Sequence, residues 1–480
     1  FHYIYKVILS FKMKRFLFFT LVVVNSTLVL GQNVYRDYQD GKVYVKFTPT
    51  SIKSIAFEDP FNIPLGKMGE LSKTLSKYGV TKISKPFHQA NDDKVLPYVL
   101  RLDFSQVKSV NSFISELIEV PGVEYAEKVP LMKTDAVPND PQFATAGGSV
   151  HLNQINAQNA WNVFNGNSNI TVAIVDNAVM WTHVDLVANT YTNAGEIPGN
   201  NIDDDGNGYK DDVNGWDAAD NDNNPVPTNS LMLHGTHCAG IAGARTDNTV
   251  GVASIGWNIK IIPIKAETNN GATNNVSAGY EGIIYAVKAK ARIISCSWGG
   301  LGSSATEQSV ITYAWQRGSI IFASAGNSNN NILNYPGAYN NVFCVAAVNP
   351  SNVKSSYSNY GTWVDISAPG DNILSTIPYT STATYQQLSG TSMATPLVAG
   401  LAGLMLSKSP FMTRNDVLNC LSSTAVNIYS LGANAAFVAG NQLGAGRIDA
   451  FAAMNCASTF SALPPVANFY AFPKNTCPNT

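Results

Sequence analysis

ITVAIVD, residues 170–176, is a short run of apolar, mostly β-branched side chains that ends on a carboxylate. A strand with one face in water alternates apolar and polar residues; this run does not, so it reads as a strand buried on both faces. The pattern recurs in IKIIPIKA (259–266), ARIISCSW (291–298), SIIFASA (319–325) and NVFCVAAV (341–348). Between these runs lie helical periods, NNVSAGYEGIIYAVKAKA (274–291) and ATEQSVITYAWQRG (305–318). The alternation predicts an α/β fold, a parallel sheet with helices on both faces, whose functional residues gather at the carboxyl ends of the strands. Asp176 stands at such an end.

Working outward, residues 42–130 have a different rhythm: KVYVKFT, LGKMGELSKTLSKYG, KISKPF, YVLRLDF, VKSVNSFISELIEV and VEYAEKV. Read as strand, helix, strand, strand, helix, strand, they predict a small α+β unit of ferredoxin-like order. DAVPNDPQFATAGGS (135–149) follows as an exposed connector. The first methionine is Met13, and residues 1–12 are expected to be translation upstream of the true start. Lys14 and Arg15, the apolar Phe16–Val24 and the small or neutral Val29-Leu30-Gly31 then suit a signal peptide over 13–31, cut before Gln32. A membrane anchor is the competing reading, but Asn25, Ser26 and Thr27 interrupt a run already short of the ~20 apolar residues that a span needs. Export to the extracellular space or periplasm is expected. The domain reading is therefore 32–135, 136–458, and a linker with the start of a truncated β-domain, containing PPVANFYA, over 459–480.

A net charge of -2 with 13% charged residues offers no basic field to nucleic acid, nor to a membrane once the signal is gone. A monomer is expected. The six cysteines are too sparse to frame the fold; Cys420 and Cys456 are the expected disulfide, while Cys296 and Cys344 lie in apolar runs that suit buried free thiols.

HGTHCAG (234–240) admits three chemistries: a metal site, a thiol nucleophile with its base, or a general base whose partners lie elsewhere. Zinc lacks a Glu within the HxxH spacing and a third ligand, and a cysteine nucleophile leaves SGTSMATP (389–396) unexplained. A serine nucleophile needs a base to take its proton and an acid to orient that base, and these need only converge in space. Asp176, His234 and Ser392 each stand at the end or start of an element.

VAIVDNAV, HGTHCAG and SGTSMATP, in this order, resemble the three active-site blocks of the subtilisin-like serine proteases over roughly residues 138–457. The resemblance implies a secreted serine endopeptidase with Asp176 as orienting carboxylate, His234 as general base, Ser392 as nucleophile and Asn327 as side-chain donor to the oxyanion. It implies no catalytic metal. Cys238, one helical turn after His234, resembles the thiol of the proteinase K branch and should sit behind the imidazole. Polypeptide substrates would be clasped as an added strand between Ser297-Trp298-Gly299 and Ser324-Ala325-Gly326, with Asn334 near the floor of the primary pocket. The sequence places no acidic group there to favour basic residues. In this family the front unit is an inhibitor-type propeptide, so residues 32–135 would make the protein a self-processing zymogen, and PPVANFYA resembles a PKD-type module. The rival function is an inactive binding or adhesion protein on the same fold.

NNIDDDGNGYKDDVNGWD (200–217) offers Asp203, Asp205 and Asn207 in alternation, a turn at Gly208, the Tyr209 carbonyl and Asp211, the opening positions of an oxygen-rich calcium loop. Asn214 stands where a bidentate Glu should close the shell, leaving Asp212 or Asp217 as substitutes. A solvated acidic loop without an ion fits the same composition.

Overall fold

The computed structural model describes residues 38–52, 59–90, 92–105, 109–131, 136–145, 147–271, 275–379 and 384–460. The segments assigned to upstream translation and signal peptide lie outside these residues, as does the PKD-like stretch. The chain divides into two compact units, the second beginning at residue 135.

In the first unit, β1 (Tyr38–Phe47), β2 (Val80–Ser84), β3 (Val99–Phe104) and β4 (Val123–Pro130) form an antiparallel sheet in the order β2-β3-β1-β4. That is the ferredoxin-like order expected from the sequence. Along β1, Val43, Val45 and Phe47 point into the core while their neighbours stay half-exposed, the period of two that one covered face requires. Two helices cover that face, α1 (Leu71–Lys77) and α2 (Val110–Ile118). Phe113 and Leu117, one turn apart on α2, are fully buried, and the Ser109 hydroxyl caps the helix by accepting from Ser112 N.

The second unit is built on seven parallel strands: β5 (Thr171–Asp176), β6 (Trp216–Asp217), β7 (Lys260–Lys265), β8 (Ile293–Cys296), β9 (Ile320–Ser324), β10 (Val342–Val348) and β11 (Ile366–Pro369). Their order is β11-β10-β9-β8-β5-β7-β6, so the chain leaves β5 to one side and later returns to its other side at β8. A crevice opens at such a reversal. Alternation along β5 separates the two faces: Val172 and Ile174 join one core cluster, Ala173 and Val175 the other. The first cluster is covered by α3 (His234–Gly243) and α6 (Thr391–Lys408), the second by α4 (Gly279–Lys288) and α5 (Ala305–Gln316). Asp176 continues the phase of Val172 and Ile174, toward the helices that begin with His234 and contain Ser392. Strands β12 (Ile373–Thr376) and β13 (Tyr385–Leu388) form an antiparallel pair.

Cys420 and Cys456 form a disulfide, tying helix Arg414–Ser423 to helix Ala450–Ser458. Cys238, Cys296 and Cys344 are buried and free. Both observations match the cysteine reading of the sequence.

Candidate active site

Asp176 is buried at the end of β5, where its Oδ1 accepts from Asn177 N and lies 2.8 Å from His234 Nδ1. The two elements meet because residue 235 is glycine; a Cβ there would stand 2.4 Å from Ala178 O and 2.7 Å from Asp176 Cβ. With Nδ1–H assigned to the carboxylate, the tautomer leaves the Nε2 lone pair as a proton acceptor. Burial disfavours the imidazolium, but the adjacent Asp176 carboxylate prevails and holds the pKa of His234 well above its usual value. Cys238 lies 3.9 Å from His234 Nδ1, behind the ring as expected, and burial pushes its thiol pKa up. Asp176, His234 and Cys238 thus group within 4.8 Å. His237 points elsewhere, its Nε2 between Ile373 O and Gln386 O.

Ser392 is the second residue of α6, in the first turn, where backbone N–H groups have no helical acceptor. Its hydroxyl donates to Ser297 O at 3.0 Å, an acceptor that a hydroxyl rotor exchanges readily. Pro396, four residues on, has no N–H to give the Ser392 carbonyl. Ser297 Oγ at 2.9 Å and Cys238 Sγ at 3.4 Å donate to that oxygen instead. Asn327 is oriented by its own oxygen: Oδ1 accepts from Thr391 N and Thr391 Oγ1, both at 2.9 Å, which leaves Nδ2 beside the start of α6.

These groups line a cleft of about 1300 Å3. Ser297, Trp298, Gly299, Ser324, Gly326 and Asn334 line it too. Asn334 is buried between the two segments, with Nδ2 donating to Ser324 O; a Cβ on Gly299 would stand 2.2 Å from that nitrogen. Ala325 departs from the expectation. It is fully buried, its N–H donates to Val345 O in β10 and its carbonyl accepts from Asn359 Nδ2, so its backbone is engaged within the protein and not by a substrate. Glu307 also lines the cleft, a carboxylate that the sequence reading of the primary pocket did not include.

In the acidic loop, Asp203 and Asp205 converge with Glu196, their oxygens within 4.8 Å of one another. Glu196 is the residue that sequence spacing missed, because it precedes the motif and nothing local marks it. Asn207 N donates to both Asp203 and Asp205, and Tyr209 N to Asn207 Oδ1. Asp211 lies outside that group, and its two oxygens accept from the backbone N–H groups of Gly199, Asn200 and Asn201. Neither substitute closes the shell. Asp217 pairs with the fully buried Lys265 at 2.5 Å, and Asp212 accepts from Asn193, Asn207 and Tyr285. An all-oxygen donor set with three carboxylates fits a hard divalent cation such as calcium.

A second carboxylate pair was not legible in the sequence. Asp140 is buried with Oδ1 unpartnered, and burial, with the Asp140 charge adding, pushes the pKa of Asp185 up to about 7. The two carboxylates disfavour each other's ionised form, and a cation near them would relieve that repulsion.

Comparison with known proteins gives this geometry a context. Residues 167–446 match the subtilase family, peptidase S8. The chain is 39% identical to thermitase of Thermoactinomyces vulgaris over 295 residues, which is 62% of this chain and 94% of that protein. It is 33% identical to an extracellular protease of Xanthomonas campestris over 350 residues, 68% of this chain and 60% of that one. Among solved structures, a protease of Pseudoalteromonas arctica aligns with a TM-score of 0.54 and 28% identity, covering 67% of this chain and all of its own.

Proposed function

The chain belongs to the subtilase family and is a serine endopeptidase, and from that premise we propose that Asp176, His234 and Ser392 are its triad, with Asn327 and the Ser392 N–H as the oxyanion donors. His234 Nε2 takes the Ser392 Oγ proton as Oγ attacks the substrate carbonyl carbon. The resulting oxyanion is held by Asn327 Nδ2 and Ser392 N–H, both preset before substrate arrives. Collapse expels the amine, which leaves with the proton from His234, and an acyl-serine remains. Water then repeats the sequence and frees the acid. Asp176 keeps Nδ1 protonated throughout and stabilises the imidazolium.

The observation that carries this reading is the 2.8 Å contact of Asp176 with His234 beside the oriented Asn327 amide. Titration with a fluorophosphonate tests it: one mole of label per mole of protein at Ser392 is expected, and an unlabelled serine in folded protein would overturn the assignment.

The proposal extends to maturation and cations. Residues 32–135 act as an inhibitory propeptide released by the molecule's own serine, with the first cut between residues 133 and 137, and the protein is exported. Among the described residues no helix is long and apolar enough to cross a membrane. Glu196, Asp203 and Asp205, with Asn207 and Tyr209 beside them, hold a structural calcium; Asp140 and Asp185 hold a second. The ion's contribution is to neutralise clustered like charges, and no step of peptide hydrolysis passes through it.

A further inference from the structure

Glu307 stands in SSATE, where Ser304 and Glu307 have the spacing of a capping box. In such a box the serine oxygen accepts from the helix N–H groups and the glutamate reaches back to the serine N–H. Here only the first half forms: Ser304 Oγ accepts from Thr306 N and Glu307 N. The Ser304 N–H goes instead to Tyr339 Oη at 2.7 Å, and that hydroxyl donates to Glu307 Oε2 at 2.7 Å. A tyrosine has taken over the glutamate's capping role. The carboxylate is thereby released toward the cleft, which it lines with Tyr280, Trp298 and Tyr335.

The surroundings are aromatic and carry no compensating cation. Tyr280 meets Trp298 edge-on at 5.4 Å, and Tyr335 meets Tyr339 at 4.5 Å. Trp298 is locked by donating Nε1–H to Val175 O at 2.8 Å, directly behind Asp176, so the cluster is rigid. Burial first, and the Glu307 carboxylate second, push the Tyr280 hydroxyl pKa up, consistent with its facing that charge. No lysine or arginine is among the described residues that line the cleft, and Asp176, already engaged by His234, is the other carboxylate there. Among the described residues Glu307 forms no ion pair.

A carboxylate in an aromatic-lined part of the cleft, with no basic side chain among the lining residues, is complementary to a cation on a flexible apolar stem. We propose that Glu307, with Tyr280, Trp298 and Tyr335, forms a specificity subsite that selects a lysine or arginine side chain of the peptide substrate, a reading that rests on the cleft being that of an endopeptidase. The primary pocket over Asn334 is a separate feature, and the basic residue need not be the one at the cleaved bond.

The test is cleavage of a positional-scanning peptide library by wild type and Glu307→Gln, each normalised to fluorophosphonate-titrated active sites. Wild type is expected to favour Lys or Arg over norleucine at one position by roughly tenfold in kcat/KM, within what one charge-assisted contact supplies. The ratio should fall toward one in Glu307→Gln, and Glu307→Lys should shift the choice at that position to Glu. A labelled wild type with no basic preference at any position, or a preference unchanged in both variants, overturns the subsite. A wild type that takes no label would instead defeat the endopeptidase reading beneath it. Should these variants fail to fold, Glu307→Leu and Tyr280→Phe are compared with wild type in the same library, and a basic preference unchanged in both overturns the subsite.

Discussion

The catalytic cleft and the acidic loop are both clusters of polar groups, and they are assembled in opposite ways. In the cleft, Asp176 meets His234 across 58 residues and Ser392 meets Ser297 across 95, each group fixed to the end of a buried strand or the start of a buried helix. In the loop, Asn207 bonds Asp203 and Asp205 across four and two residues, and Glu196 bonds Asp211 across fifteen. The cleft draws its geometry from the sheet behind it. The loop has its own backbone and a concentration of negative charge, so its shape should depend on a cation while that of the cleft should not.

The largest test of this contrast is Ser392→Ala. Losing one hydroxyl should lower kcat by on the order of 10⁶-fold while leaving the fold and the melting temperature nearly unchanged. Mass spectrometry should find the variant as an unprocessed precursor beginning near Gln32; maturation to the wild-type N-terminus would mean that another protease does the processing.

Asn327→Ala should come next, with kcat reduced by about 10² to 10³ and KM little altered, since its amide acts on charge that develops only in the transition state. Steady-state kinetics that show less than a threefold loss would remove Asn327 from the reaction.

Chelation should then act on the other region. Removing a ligand that binds only the folded state costs about 3 kcal/mol at a hundredfold excess over Kd, enough to lower the melting temperature by several degrees. Glu196→Gln and Asp205→Ala should be less stable than wild type and less sensitive to chelator. Equal melting curves with and without chelator in all three proteins would show a loop that needs no ion.

The smallest effects concern pH, and they divide the histidines. His151 and His237 are buried, and burial pushes their pKa values down to about 4 and about 3. The unfolded chain binds protons more readily at these positions, so the stability they contribute is complete above about pH 6.5 and declines as pH falls toward those values, by on the order of 1–3 kcal/mol each. His234 has the opposite sign: its raised pKa contributes stability at low pH that is lost as pH rises through the folded value. Because the base must be neutral to act, the acidic limb of kcat/KM should lie above pH 6.5, higher than an unperturbed histidine would place it. Melting and rate profiles in one buffer series would separate the two; a limb below pH 6 would contradict the Asp176 interaction.

Much of the molecule was legible before its coordinates. Unbroken apolar runs such as TVAIV can be satisfied only by burial on both faces, and the two-residue period of β1 only by burial on one, so both sheets followed from the periodicity of side chains. Asp176, His234 and Ser392 stood out because strand ends, helix starts and small residues around them leave a local record, whereas Asn327 was assigned only through the family resemblance. The Cys420–Cys456 pair was also expected, though no local signal singled it out.

Tertiary structure alone decided the rest. Glu196 joins the acidic loop and Asp140 approaches Asp185 only through folding, and no spacing rule links either pair. Asp211 has ligand spacing, yet it lies outside the group that Glu196 forms with Asp203 and Asp205, and bonds the amides of residues 199–201. Ala325 lies between two cleft residues, yet β10 takes its N–H. Glu307 carries the local signature of a helix cap, and a tyrosine 32 residues away displaces it into the cleft. In each case the sequence specified what the group could bond to. Which partner it bonds depends on the packing of distant elements, because hydrogen-bonding groups are satisfied by whatever the fold brings within about 3 Å.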